Sequence, residues 1–441
     1  DKIKVSDSAV LDALLRLAPD NLASIFLRFK PLFLAMKSAS KNKSFFNRLR
    51  KDAVALHKPM PEDYLNSITS KIKSGKDFNL SLFDRKLADA SVFRKIRLAY
   101  ALNNRLFAGD STVYKIRNGR GWVTDFAWNK DLNFLTDRLL SAVSLSIAGD
   151  MVKNVSGKTV YIPSAIHYAL PATEKQFLGN IPTNSYVSVP ADMLVGVHWF
   201  DRDIEEKKPS ARDEYYGYRH YDGRVDLDLS LVSLTNKYGW DGYYRSGEGE
   251  ILFSGDMTGA PKPNGATEFW YLKNVTSDVK AVYLNYFNLG NDDGNEGVTC
   301  KLIIASEPVN NTFSGNRGRD NAYMVDVNNI LASEKLKIEK KQNIIGMVMG
   351  IDGENRFYFS NTSIGSSITS RKTDLSAKTN EFMKNSCLNM IDLSAILAMA
   401  GANVVSERPE EGEYEEGEYL DLSPESLDKS TIIKLFLKEG K

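Results

Sequence analysis

Between Val225 and Leu231, apolar and polar residues alternate without a break: Val225, Leu227, Leu229 and Leu231 against Asp226, Asp228 and Ser230. A period of two marks a β-strand with one buried and one polar face. It places the carboxylates of Asp226 and Asp228 on one side of one strand. Another carboxylate follows at Asp256, in the loop Ser254-Gly255-Asp256-Met257-Thr258-Gly259, and another at Glu268, after Gly265-Ala266-Thr267. Hard cations such as calcium take several oxygens converging from different loops, and this stretch is one way to bring them together. The plainer reading of the same residues is two solvated acids on a half-exposed strand and an Asp256 that bonds its own backbone in a turn. Asp292 and Asp293, in Asn291-Asp292-Asp293-Gly294-Asn295, read as a turn between strands. A sandwich brings that turn near the other acids, which makes them second-tier ligands.

These pieces resemble the TerD family of tellurite-resistance and stress-response proteins. The family's recurrent elements are matched by Asp226-Leu227-Asp228, by Ser254 to Gly259, and by Asn264 to Glu268. The run Ser254 to Phe269 is similar to a divergent branch in which a TerD-like domain sits inside a longer chain. The resemblance covers about residues 195–305, with a weaker extension over the flanks such as Val195 to Phe200. It implies a non-catalytic, calcium-responsive interaction module, with Asp226, Asp228, Asp256 and Glu268 as calcium ligands that order loops and present a surface to a protein partner. One departure stands out. Calcium-binding members carry consecutive acids before the final Glu, where this chain has Ala266 and Thr267.

The fold class expected is multidomain α+β: a helical N-terminal region, a central TerD-like antiparallel β-sandwich and a mixed α/β C-terminal extension. Apolar residues at helical spacing, such as Leu11, Leu14 and Leu15, then Phe93, Ile96 and Leu102, make 1–108 a stack of short helices. Residues 109–193 form a mixed connector. The sandwich occupies 194–306, with strands at 194–200, 225–234, 240–246, 250–255, 267–272, 280–288 and 298–306, each bounded by Gly, Asn or Asp. The long charged segment Asp201 to Arg224, which includes His220, reads as a surface loop. An α/β extension covers 307–405. The acid-rich segment 406–441, where Glu411-Gly412-Glu413-Tyr414 is echoed by Glu416-Gly417-Glu418-Tyr419, reads as a flexible tail ending in an apolar segment.

The net charge of +1 hides an asymmetry: residues 1–120 hold 24 Lys and Arg against 11 Asp and Glu, whereas 405–441 hold 5 against 11. The basic N-terminal region is a candidate nucleic-acid surface, although Phe45 and Phe46 beside its lysines and arginines fall at core spacing. Two cysteines, Cys300 and Cys387, provide neither a disulfide framework nor a zinc site. No apolar run approaches the ~18 residues of a transmembrane helix. There is no P-loop, no His-Glu-x-x-His and no Gly-x-Ser-x-Gly. The four histidines stand apart from one another, and His198 reads as a packing residue. The expectation is therefore a cytoplasmic protein that is not an enzyme and whose partners are proteins. Two rivals stand beside it: a structural component of a large assembly such as a phage particle, which would place it in a virion, and nucleic-acid binding through residues 1–120. The chain opens at Asp1 without Met, as a trimmed or processed product does.

Overall fold

The computed structural model describes residues 16, 25–26, 30–39, 43–56, 64–74, 78–107, 110–117, 120–190, 192–203, 223–247, 249–273, 279–289, 297–307, 325–362, 377–410, 412, 414–415 and 417–437. It is a mixed α/β protein with several antiparallel sheets. The chain divides into two compact units, residues 1–67 and 68–441.

In the first unit, α1 (Lys30–Ala39) and α2 (Lys43–Leu56) bury Phe33 and Met36 against Phe46, Leu49 and Ala53, with Phe26 in the same cluster. α3 (Tyr64–Lys73) crosses the boundary between the units.

The second unit begins with α4 (Leu80–Ala88), capped by Asn79, whose Oδ1 accepts from Leu82 N at 2.9 Å. α5 (Val92–Phe107) lies along α6 (Asn133–Val155), and buried Lys95 reaches the Asp150 carboxylate of α6 at 2.5 Å. Between them lies the hairpin β1 (Asp110–Arg117) and β2 (Arg120–Ala127). Among the described residues, no helix is long and apolar enough to cross a membrane.

Then come β3 (Thr159–Tyr161), β4 (Ile166–His167), the small pair β5 (Phe177–Leu178) and β6 (Ile181–Pro182), β7 (Tyr186–Val189) and β8 (Asp192–Trp199). The stretch that carries the acids supplies β9 (Leu227–Val232), β10 (Lys237–Tyr238), β11 (Ile251–Phe253), β12 (Ala266–Leu272), β13 (Lys280–Tyr286) and β14 (Val298–Glu307). β15 (Ile330–Ile338), β16 (Gln342–Ile351) and β17 (Glu354–Thr362) follow. Two larger sheets result: β10-β9-β13-β16-β17-β7-β4 and β11-β12-β8-β14-β15.

Sheet membership does not respect the boundaries expected at 194 and 306. β4 and β7 from the connector, and β15 to β17 from the extension, complete the same two sheets. The reason is register: β13 pairs with β16 and β14 with β15 along most of their lengths. The strand expected at 240–246 is met only in its second half, where Tyr243 and Arg245 form β-bridges to Tyr238 and Leu252; its first half is a turn. Gly242 N donates to Gly239 O at 3.0 Å, and Gly239 takes φ +152 against Ser230. The glycines close the turn, and the pairing resumes where Phe253 N donates to Tyr244 O at 2.8 Å and Ser246 N to Ile251 O at 3.0 Å.

The flexible tail expected at 406–441 also differs. After α7 (Ala377–Leu388), α8 (Leu393–Met399) and β18 (Asn403–Val405), Tyr419–Asp421 forms β19 and Lys429–Phe436 forms α9. β18 and β19 flank β3 in parallel, and α9 packs on α6, burying Ile432, Leu435 and Phe436. Composition marked the segment as acidic, while its apolar positions have partners far back in sequence. The Nδ2 of Asn154 donates to the carbonyls of Lys434, Leu435 and Leu437 at 3.0–3.1 Å, which satisfies the open C-terminal end of α9. Asn154→Ala is therefore expected to cost about 1–2 kcal/mol and to speed amide exchange first in residues 429–437. Protection there equal to that of the parent protein would refute the capping role.

Candidate cation site

β9 is read correctly as a strand, but its second face is not solvated. Every residue from Leu227 to Val232 is buried: β10 and β13 flank β9 within the sheet, and both of its faces are covered, Val232 clustering with Met383 and Cys387 of α7. Asp226 and Asp228 are 5% and 3% exposed. Their reading as solvated acids is overturned, and their burial needs a compensating interaction.

Asp256 supplies the third carboxylate. Its loop is fixed at three places. Ser254 N donates to Phe269 O at 3.0 Å and Phe269 N to Ser254 Oγ at 2.8 Å; Met257 N donates to Glu268 Oε1 at 2.9 Å; Ala260 N donates to Asp201 Oδ1 at 2.9 Å. Gly255 takes φ +120, a conformation that favours glycine, and so turns the loop toward β9. One carboxylate oxygen from each of Asp226, Asp228 and Asp256 lies within 4.8 Å of the others. The loop residue Asp256 is partly exposed at the rim.

Glu268, fully buried on β12, stands behind this triad. Its Oε2 accepts from Leu229 N at 2.7 Å and its Oε1 from Met257 N. β10 pairs with β9 only at Leu231 and Val232, so the Glu268 carboxylate takes the next free N–H of that edge. Each oxygen accepts one backbone N–H, and Glu268 is not among the three acids whose oxygens converge, so it holds the loop and strand around them. Ala266 and Thr267 are residues of the same strand. Side chains at 267 and 268 point to opposite faces, so an acid at 267 would face away from Glu268. Asp292 and Asp293, like His220, lie outside the described residues.

Three oxygens have no hydrogen-bond partner among the described residues: Asp226 Oδ1, Asp228 Oδ2 and Asp256 Oδ1. Two further groups share their strand face. Ser230 Oγ is buried and unpartnered on β9, and Asn285, directly opposite Asp228 on β13, is fully buried with both Nδ2 and Oδ1 unpartnered. Buried polar groups are nearly always bonded, and five of the described residues with unpartnered polar atoms meet here, which makes this face the candidate site. Sequence reading missed Asn285, because nothing local says which residue of β13 meets Asp228.

The electrostatics agree. Burial, reinforced by Asp226 and Asp256, pushes the Asp228 carboxyl up to about 8, and burial pushes Asp226 up to about 6 despite the nearby Arg224 guanidinium. Burial also raises Asp256. It raises Glu268 far above the usual carboxylate range, against the lowering effect of its two backbone donors. Tyr244, packed edge-on to Phe253, is raised by burial and by Asp256, Glu268 and Asp228, which places it at the border of the site.

The donor set is all oxygen, the chemistry of a hard cation, with neither the His nor the Cys that zinc or copper favours. Calcium's preference for six to eight oxygens is compatible with three carboxylates, the Asn285 amide oxygen and water. His198 takes no part: its Nε2 donates to Asn264 O at 2.9 Å. Cys300 and Cys387 are free and buried.

No protein-family model matches the chain, and no curated protein or solved structure matches it.

Proposed function

We propose that the protein is a non-catalytic, TerD-like interaction module of a stress response, in which binding of calcium by Asp226, Asp228 and Asp256 orders the surrounding loops for a protein partner. The observation that carries the reading is the buried acid triad with three unpartnered oxygens. Support comes from the resemblance of Asp226 to Glu268 to the family's motifs and from the two sheets joined by Glu268 of β12 reaching β9, an arrangement in keeping with a TerD-like sandwich. The ion would supply positive charge that offsets the mutual repulsion and burial of the three carboxylates. Glu268 and Asp201 hold the loop that carries Asp256 in reach. The ion would lock that loop against β9, and Tyr244 and Met257 at its border would form part of the presented surface.

Calcium titrated into chelator-stripped protein by calorimetry is expected to bind in the 10⁻⁷–10⁻⁵ M range of calcium sensors and to raise the melting temperature. Absence of both heat and thermal shift would remove the calcium-responsive reading. Asp226→Ala/Asp256→Ala should abolish both signals. A double variant that still binds calcium would place the ion elsewhere.

A further inference from the structure

A second site lies on the five-stranded sheet. His198 of β8, Lys301 of β14 and Lys335 of β15 are register partners in one row across three adjacent strands. They line a cleft of about 1370 Å³. Both lysines are exposed, and among the described residues neither has a hydrogen-bond or ion-pair partner. Like charges directly opposite each other destabilise an antiparallel pair. Lysine on an edge strand is commonly a guard against edge pairing, and β15 is an edge. β14 is not, so that explanation covers Lys335 and leaves Lys301 without one.

The acids of the cleft do not neutralise this row. Asp201 accepts from Val225 N and Ala260 N, Asp203 pairs with Lys262, and Glu425 pairs with Arg408. The floor is therefore left cationic while the walls hold acids that are already engaged. Hydroxyl donors stand on either side of the lysine pair: Thr299, two residues before Lys301, and Ser333, two residues before Lys335, each on the same face as its lysine.

We propose that this row is a binding site for a compact polyphosphate group. At the strand spacing of about 4.8 Å, Lys301 and Lys335 set two ammonium groups side by side, which suits two linked phosphates better than one. Ammonium groups act as point charges toward phosphate, and the flanking hydroxyls donate to its remaining oxygens. The shortness of the lysine row, two adjacent strands wide, favours a short, dense anion over a long acidic peptide or a nucleic-acid strand.

The test uses the full chain in chelator at low salt, so that it does not depend on the cation site. Sodium tripolyphosphate is titrated by calorimetry, and vesicles carrying a phosphoinositide are tested by co-sedimentation. Binding in either arm is expected, and the arm in which it occurs identifies a free or a lipid-borne phosphate. Lys301→Gln/Lys335→Gln, at two exposed positions, should weaken it by about tenfold or more with an unchanged melting temperature, and physiological salt should weaken it too. Lys153→Gln on α6 should leave it intact. Absence of binding in both arms, or equal binding by the double variant, overturns the proposal. So does binding confined to single-stranded DNA or to polyglutamate.

Discussion

Asp228→Asn is expected to abolish calcium-dependent stabilisation while making the ion-free protein more stable at pH 8. The sign follows from the direction of the pKa shifts. An unfolded Asp titrates near ~3.9, whereas folding raises Asp226 to about 6 and Asp228 to about 8. Between these limits the folded protein holds protons that the unfolded chain has released. Stability of the ion-free protein therefore falls as pH rises from about 4 to 8, by an amount on the order of several kcal/mol. An Asn at 228 does not ionise and removes most of that slope. On the proposed reading calcium and protons would compete for the same oxygens, so affinity should rise with pH and binding should release protons. At a hundredfold excess over Kd, calcium adds about 2.7 kcal/mol to the parent protein and should add nothing to the variant. Melting curves at pH 5 and pH 8, with calcium and with chelator, give all four corners. A variant that keeps its calcium shift, or parent stability that rises with pH in chelator, would contradict the site as described.

Glu268→Ala is expected to be the most damaging single change in this region, at about 3–6 kcal/mol. The buried donor Leu229 N loses its acceptor, at about 1–3 kcal/mol, the part-buried Met257 N loses its own at a smaller cost, and a cavity opens where the buried side chain stood. Glu268→Gln keeps one acceptor and should cost about half as much. It also separates positioning from ligation: because Glu268 lies outside the converging triad and each of its oxygens already accepts a backbone N–H, the Gln variant should still bind calcium, more weakly and without losing stoichiometry. Loss of stoichiometry with an intact fold would make Glu268 a ligand after all. Urea melts together with the calcium titration decide between the two.

How far the sequence reveals the site differs from residue to residue. The alternation at 225–231 identifies β9 and the shared side of Asp226 and Asp228, because side-chain direction in a strand is a local property. It does not reveal that both faces are covered, since burial of the polar face depends on neighbours elsewhere in the chain. Asn285 illustrates the limit most clearly. Its strand is evident from Val282, Leu284 and Tyr286, yet its place opposite Asp228 is a matter of register, fixed by pairing across more than fifty intervening residues. The commitment of Glu268 to two backbone amides is hidden for the same reason. Acid-rich composition misled at the C-terminal segment, where Tyr419 to Asp421 and the apolar side of α9 have partners at 159–161 and on α6.

Val160 pairs with Val404 on one side and with Leu420 on the other. A ribosome that has delivered β3 must synthesise nearly all the remaining described chain before either neighbour exists. Until then a fully buried valine and its two strand edges stand open. Contacts of such sequence separation slow folding, and unpaired edges invite association with other chains. A nascent chain halted near residue 415 would already have β18 but lack β19 and α9, leaving one edge of β3 uncovered and the α9-binding side of α6 bare. Recovery of soluble protein from progressively shortened genes should therefore fall abruptly on crossing 419–436, well after both acid-bearing sheets have been made.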